Sequence, residues 1–140
     1  MLQAVRTEGP VTAERLAQAL SGEAKLSAPA RSTVFRAAVD TATALETRQQ
    51  LITEWEQDGT GGTQRVYRLP EQDAVRVRTA GPRSIEQIPP SEVRALGKQV
   101  CETEALFPTS EAHIRRVAKL LGLRATAGTK DTLARLLRES

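Results

Sequence analysis

The chain has 140 residues, of which 39% are hydrophobic, and this is enough for one ordinary domain or two small ones. No apolar run approaches the roughly 20 residues that a transmembrane helix needs, so we predict a cytoplasmic protein without a membrane segment. One cysteine, Cys101, excludes an internal disulfide, and with one histidine, His113, it leaves too few soft ligands for a zinc site. We therefore expect neither a metal nor another cofactor, with Cys101 packed in a helix and His113 solvated among charged residues.

The net charge of +3 is unevenly distributed along the chain. Between Ala112 and Arg138, Asp131 is the only acidic residue, and seven residues are basic: Arg115, Arg116, Lys119, Arg124, Lys130, Arg135 and Arg138. A local basic field of this kind suits a polyanion, although a solvated helix surface accounts for the same pattern.

Helices are predicted through most of the first half. Met1 to Thr7 allows barely two turns before the Glu8-Gly9-Pro10 break, so we expect this leading helix to be cut short or supplied from elsewhere. Thr12 suits the N-cap of the next helix, whose apolar residues fall at i, i+3, i+4 and i+7 and are predicted to form one buried face: Ala13, Leu16, Ala17 and Leu20. After Ser21-Gly22, a further helix is predicted from about Ala30 to Glu46, with these side chains facing inward: Phe35, Ala38, Val39, Ala42 and Leu45.

The stretch WEQDGTGGTQRVYRL, from Trp55 to Leu69, has a glycine-rich centre and strand-like flanks. A phosphate-binding loop needs a helix directly behind it, and a P-loop also needs a lysine, whereas Gly62 is followed by a β-rich run. The glycines supply the positive φ angles of a reversal, so we predict a β-hairpin between Gln50–Glu56 and Val66–Leu69. Helix, turn, helix and hairpin is the order of a winged helix, with this hairpin as the wing.

Three helices are predicted in the second half. Pro90 suits the first turn of the first of them. Ser110 or Thr109 caps the second, which Gly122 ends, and the third begins at Thr129. The spacing of the first apolar pattern recurs here as Ile114, Val117, Ala118 and Leu121. This unit is interpreted as a tri-helical helix-turn-helix that stops at Ser140, where a wing would start.

The fold class predicted from these elements is mainly α with a small β-hairpin, α+β. A winged-helix unit is expected over residues 1–70, a linker over 71–88 and the tri-helical unit over 89–140.

Three motifs occur in order along the chain: Glu8-Gly9-Pro10-Val11 with Glu14-Arg15-Leu16, then Ile88-Pro89-Pro90-Ser91-Glu92-Val93, then Arg115 to Arg124 before a Leu-rich helix. Together they resemble the C-terminal domain of unknown function that ends some very large bacterial helicase-like proteins, which also carry a restriction-type nuclease domain. The resemblance covers most of the chain and is weakest over 21–69. This chain differs from the family pattern in two ways: its hairpin is longer than expected, and it contains no helicase or nuclease motif. It implies a terminal piece of a larger nucleic-acid-processing or defence protein, whose other domains are candidate partners.

A second, local likeness concerns Ser32-Thr33-Val34-Phe35-Arg36-Ala37, which looks like the start of the recognition helix in ferric-uptake-type repressors. The chain lacks the His, Cys and carboxylate clusters that those repressors need for metal sensing. Only the role of the helix is carried over.

The leading hypothesis is a non-catalytic nucleic-acid-binding module, with duplex DNA as the expected ligand. The second helix of a helix-turn-helix presents its N-terminal side chains to the major groove, which here are Arg31, Ser32, Thr33 and Arg36. Further contacts are predicted for Arg65 and Arg68 of the hairpin and, in the second unit, for Arg115, Arg116, Lys119, Arg124 and Lys130. Against them stand the acidic residues of the hairpin, Glu54, Glu56 and Asp58, and the chance that Asp40 pairs with Arg36.

The alternative is a protein-docking or homodimerising module, in which Trp55 and Tyr67 are candidate anchors unless they cover the packing face of the hairpin itself. No enzyme is predicted, because one histidine, one cysteine and surface-patterned acids do not assemble a nucleophile with its base.

Overall fold

The computed structural model describes residues 1–22 and 26–138. Within these ranges it contains six α-helices, one short 3-10 helix and a three-stranded antiparallel sheet, so the predicted α+β class is confirmed. None of the described helices combines the length and apolar character needed to cross a bilayer. The chain packs as two units, Met1–Trp55 with Gln64–Ala74 and Glu56–Thr63 with Val75–Ser140. Ser140, where the sequence interpretation would start a second wing, lies outside the described residues.

The first unit holds the elements α1 Leu2–Glu8, β1 Val11–Thr12, α2 Ala13–Leu20, α3 Ala28–Thr47, and most of β2 Ile52–Gln57 and β3 Thr63–Arg68. The sheet order is β1-β3-β2, with Val11 opposite Tyr67 and Thr12 opposite Val66. Strand β1 was not predicted, because two residues are too short to show alternation. The predicted N-cap is confirmed, since the Thr12 hydroxyl accepts from the Arg15 N–H at 3.2 Å.

The core of the first unit is built from α1, α2, α3 and the strands, and comprises Val5, Val11, Ala13, Leu16, Ala42, Leu51, Tyr67 and Leu69. Gln72 extends this unit beyond the predicted boundary at residue 70. Its side-chain NH2 donates to the carbonyl oxygens of Val5 and Arg6, at 3.1 and 3.0 Å, and its oxygen accepts from the Leu69 N–H at 2.8 Å. The start of the predicted linker therefore belongs to the first unit.

Helix α3 is mostly exposed. Ala38 and Ala42 are buried as predicted, and Val39 and Leu45 are half-buried, but Phe35 is exposed, as is Leu20 of α2. The prediction that these two side chains face inward is therefore wrong. A 20-residue helix is about 30 Å long, whereas the eight residues of α2 span only about 12 Å, so α2 is too short to cover all of α3.

The second unit contains the 3-10 helix Ile85–Gln87 and three helices, α4 Pro90–Glu104, α5 Glu111–Leu121 and α6 Ala127–Arg138. Pro90 begins α4, Ser110 caps α5 by accepting from the His113 N–H, and Gly122 ends it at φ 78°, as predicted. Helix α6 begins earlier than the predicted Thr129, because the Thr126 hydroxyl accepts from the Thr129 N–H at 3.2 Å.

The second half of the predicted linker lies in the core of the second unit. Ala80, Ile85 and Ile88 are buried with the apolar residues of α4, α5 and α6, and the Ala80 N–H donates to the Leu121 carbonyl at 2.7 Å. Residues 75–88 lack apolar periodicity because, apart from the 3-10 helix, they have irregular backbone. They pack in the core of the second unit and do not form a separate connector.

A buried ion pair holds this irregular segment against α4. The Arg83 guanidinium donates to both carboxylate oxygens of Glu92, at 3.1 and 2.8 Å, and to the carbonyl oxygens of Thr79 and Ala80. Arg83 is 5% exposed and Glu92 only 1%. Arg78 adds a second guanidinium, with its Nε 3.7 Å from Glu92 Oε1.

The tip of the hairpin is anchored within the second unit. Glu56 accepts from the backbone N–H and the hydroxyl of Ser91, both at 2.8 Å, and Arg94 donates to the carbonyl oxygens of Gln57 and Leu136. The first N–H groups of a helix lack intrahelical partners, and a carboxylate also favours the positive end of the helix dipole. Pro89 is the N-cap residue of α4 and has no side-chain oxygen that could accept from these N–H groups. Glu56 accepts from the Ser91 N–H in its place.

Helices α4 and α6 approach closely at Gly97. A Cβ atom at this position would overlap Cδ2 of Leu137 and would lie 3.5 Å from Nε2 of His113. A side chain at position 97 would therefore displace the Leu137 methyl group, so this close approach favours glycine, although glycine is otherwise unfavourable inside a helix.

We expect Glu92→Gln to lower the free energy of unfolding by about 3–5 kcal/mol, because it leaves the Arg83 cation buried without its counter-charge. Urea denaturation followed by circular dichroism measures this. The matched control is Glu104→Gln, which breaks the partly exposed pair with Arg116 (36% and 37% exposed) and should cost less than about 1 kcal/mol. Equal losses in the two variants would contradict a structural role for the buried pair.

A second expectation concerns the approach of α4 to α6. Gly97→Ala should destabilise the protein by about 1–3 kcal/mol through overpacking, despite the better helix propensity of alanine. Gly128→Ala in α6, where nothing lies within 4 Å of the added Cβ, should be neutral or stabilising by up to about 1 kcal/mol. Thermal melts compare the two, and a stabilising Gly97→Ala would show that α6 is less tightly packed than described.

Candidate functional site

The N-terminal half of α3 presents four of the predicted site residues to solvent. Arg31, Ser32, Thr33 and Arg36 are all exposed. The Ser27 hydroxyl caps the helix by accepting from the Ala30 N–H at 3.3 Å, and the Thr33 hydroxyl donates to the Pro29 carbonyl at 3.0 Å. Within residues 1–22 and 26–138, neither arginine forms an ion pair, and the predicted pairing of Asp40 with Arg36 is not formed.

These side chains spread over a wide arc of the helix. Ser32 and Arg36 are four residues apart and lie on one side, whereas Arg31 is rotated from Arg36 by about 140°, at 100° per residue. Arg31 lies in line with the buried Ala38 and Ala42 but two turns nearer the N-terminus, beyond the core. Ser32 lies between the two arginines on this arc, and Thr33 lies beyond Arg36.

The two predicted hairpin arginines differ in their surroundings. Arg68 is ion-paired with Glu54, at 3.3 Å, and donates to the Gln72 carbonyl at 3.0 Å. Arg65 lies over the indole ring of Trp55, with its guanidinium carbon 4.5 Å from the ring centroid. Arg68 is thus committed to intramolecular contacts, whereas Arg65 has no carboxylate partner among the described residues.

The acidic residues of the hairpin are all engaged. Glu54 binds Arg68, Glu56 binds Ser91, and Asp58 accepts from the hydroxyl and the backbone N–H of Thr60, at 2.6 and 2.8 Å. The Thr60 hydroxyl, followed by its N–H, lowers the pKa of Asp58. Of these three carboxylates only Glu54 is compensated by a cation, whereas Glu56 and Asp58 accept from neutral donors and keep their negative charge.

The two aromatic residues of the hairpin have opposite environments. Tyr67 is 2% exposed in the core of the first unit, and its burial raises the pKa of its phenol. It covers the packing face and is not an accessible anchor. Trp55 is 59% exposed.

Most of the predicted cations of the second unit are paired. Arg115 and Lys130 both bind Glu111, at 2.7 and 3.2 Å, and Arg116 binds Glu104 at 2.8 Å. Hydrogen bonds from Arg115 and then Lys130 lower the pKa of Glu111. The two glutamates lie just before the basic run in sequence, so the charge of that run alone overstates the local field. Lys119 and Arg124 are exposed and form no ion pair within the described residues.

His113 is buried, which corrects the prediction that it is solvated. Its Nδ1 accepts from the Thr109 N–H at 2.9 Å, while Nε2 lies 2.8 Å from the Gly97 carbonyl and 3.3 Å from Cys101 Sγ. A backbone N–H can only donate, so the neutral ring carries its proton on Nε2 and donates it to Gly97. The ring therefore has no basic nitrogen directed at Cys101, and the pair lacks the geometry of an activated nucleophile.

One exposed aromatic residue was not predicted. Phe107, to which the sequence analysis assigns no role, is 84% exposed on the loop between α4 and α5. Its position outside both periodic apolar patterns was the available signal. Within the described ranges, no group of three or more His, Cys, Asp or Glu side chains is arranged to hold a metal ion.

No protein-family model, curated protein or solved structure matches this chain. The resemblance to the terminal domain of helicase-like proteins stays a prediction, and the functional argument depends on the geometry of the chain itself.

The tautomer of His113 can be tested directly, because it is the only histidine in the chain. At a pH where the ring is neutral, we expect its ¹⁵N chemical shifts to report a proton on Nε2 and a lone pair on Nδ1. A proton on Nδ1 would contradict the Thr109 hydrogen bond and would reopen a base role toward Cys101. Cys101→Ser should leave the tautomer unchanged, since the Gly97 carbonyl and the Thr109 N–H determine it.

Proposed function

We propose that the first unit is a winged helix that binds duplex DNA non-catalytically through the N-terminal half of α3. The order α1-β1-α2-α3-β2-β3 supports this assignment, because it is a helix-turn-helix followed by a hairpin. In that arrangement α3 is the second helix of the helix-turn-helix, whose N-terminal residues enter the major groove.

The observation that carries the proposal is which exposed arginines have a carboxylate partner and which do not. Arg31 and Arg36 are exposed and have no carboxylate partner in the described part of the chain. By contrast, Arg68, Arg115 and Arg116 are each bound to a glutamate. Since an unpaired guanidinium can bind guanine or phosphate without first breaking an ion pair, α3 is a better candidate than the more basic second unit.

The two arginines fit different parts of a groove. Ser32 and Arg36 share one side of α3, suited to base edges, while Arg31 on the other flank can reach a phosphate. Lys119 and Arg124 provide an auxiliary phosphate contact in the second unit. By the resemblance stated above, the chain serves a larger cytoplasmic nucleic-acid-processing or defence protein.

Exposed aromatic side chains favour a second candidate, a protein-docking or homodimerising module. Trp55 and Phe107 both present large apolar surface to solvent. The two candidates differ in salt dependence, because phosphate binding weakens steeply with salt and apolar docking does not.

To test the proposal, the affinity for a labelled mixed-sequence duplex is measured across a salt series. Arg31→Ala/Arg36→Ala should weaken binding by at least about tenfold and reduce the slope of log K against log salt by up to about 2, for two lost contacts. The matched control is Arg115→Ala/Arg116→Ala, which removes the same charge from side chains already paired with glutamate and should have the smaller effect.

Circular dichroism melts verify that both double variants are folded. Equal weakening in the two would mean that total charge, not α3, determines binding. If the unmodified chain does not bind duplex even at low salt, the DNA proposal fails and protein docking takes its place.

A further inference from the structure

We infer that Trp55 and Arg65 form a stacking site for an unpaired nucleobase, so that the chain binds single-stranded nucleic acid as well as duplex. This inference extends the proposed function to a second surface of the first unit. It rests on the proposed function in that the chain binds nucleic acid, but it concerns Trp55 and Arg65 and not the arginines of α3.

The fold does not use the indole ring for its core. Trp55 is 59% exposed, whereas Tyr67, two residues from Arg65 on β3, is 2% exposed and fills the core. Exposing a large aromatic surface to water is unfavourable. A solvent-exposed tryptophan held in a defined position is therefore suited to contact a partner.

Arg65 fixes the ring and marks which face is available. Its guanidinium carbon lies 4.5 Å from the ring centroid, a cation–π arrangement that restrains the orientation of the indole. Because the arginine occupies one face, the opposite face is the one that we assign to the base. That opposite face can accept a flat ring, and the guanidinium beside it can meet the accompanying phosphate.

The charged side chain in contact with the ring is a cation, which favours a polyanion. Successive side chains of β2 alternate between the faces of the sheet, so Glu54 and Glu56 project away from Trp55. Glu54 is bound to Arg68, and Glu56 is bound to Ser91. Arg65, which lies over the ring, has no ion-pair partner among the described residues.

The polar setting of the ring distinguishes a base from a protein partner. Thr53 and Gln57, which share its side of β2 by alternation, are both polar. The core of a protein interface is instead apolar over a continuous patch. A single aromatic platform beside a cation is the arrangement with which single-stranded nucleic acid is held, since every base has a π face. In duplex DNA these faces are hidden in the stack, so the site selects unpaired bases.

The experiment uses the fact that Trp55 is the only tryptophan in the chain, so intrinsic fluorescence reports on this site alone. A thymine single strand should quench its emission at low salt, and a duplex of equal length should quench it much less. The affinity of labelled single strand is then measured by polarisation for Trp55→Leu, Trp55→Tyr and the matched control Phe107→Leu, which removes another exposed aromatic residue.

Trp55→Leu should weaken single-strand binding by roughly tenfold, while Trp55→Tyr retains most of it because an aromatic face is kept. Arg65→Gln should reduce the salt slope by about 0.7, as expected for one phosphate contact on a single strand. Phe107→Leu should have no effect. Absence of quenching, or wild-type affinity in Trp55→Leu, would overturn the inference.

The two proposals fail separately. Trp55→Leu should leave duplex affinity unchanged, and Arg31→Ala/Arg36→Ala should leave the quenching by single strand in place. If duplex binds through α3 and single strand does not bind, the stacking site is wrong and the proposed function stands. If single strand quenches Trp55 and duplex does not bind, the stacking site stands and the duplex proposal is wrong.

Discussion

The guanidinium group of arginine cannot give up its charge, and this constraint organises both units of the protein. A buried arginine must have a carboxylate or carbonyl partner, and here each one does: Arg15 binds Glu8 at 2.9 Å in the first unit, and Arg83 binds Glu92 in the second. At the surface, several further arginines are also paired. Among the described residues, the arginines that keep no carboxylate partner include Arg31 and Arg36 on α3, Arg65 over Trp55 and Arg124 in the second unit, and these are the cations available to a ligand.

The hairpin serves more than one structural purpose. Its base supplies Val66 and Tyr67 to the pairing with β1, and Tyr67 to the first core. Its tip supplies Glu56 to the start of α4. Trp55 on β2 and Arg65 on β3 contact each other within the first unit, and this contact restrains an exposed aromatic side chain before any ligand binds.

The residues with the most reactive side chains have structural roles. Both ring nitrogens of His113 are hydrogen-bonded to backbone groups. Cys101 lies beside the ring, but no basic nitrogen of His113 is directed at its thiol. The exposed residues of the two candidate surfaces include arginine, serine, threonine and tryptophan, which bind through hydrogen bonds, charge and stacking.

The sequence by itself determined the helices and several of their ends, because caps and apolar periodicity depend on neighbours within a few residues, as Thr12, Ser110 and Gly122 illustrate. Only the tertiary structure decided what depends on distant residues. Strand β1 exists through its pairing with β3, Phe35 is exposed because α2 is short, and residues 75–88 are packed because α4 and α5 cover them. Charge counting along the chain favoured the second unit, but the pairing of Arg116 with Glu104 across a loop is a property of the fold. Local physics thus gives the elements, and long-range packing and ion pairing determine which surfaces are left to bind.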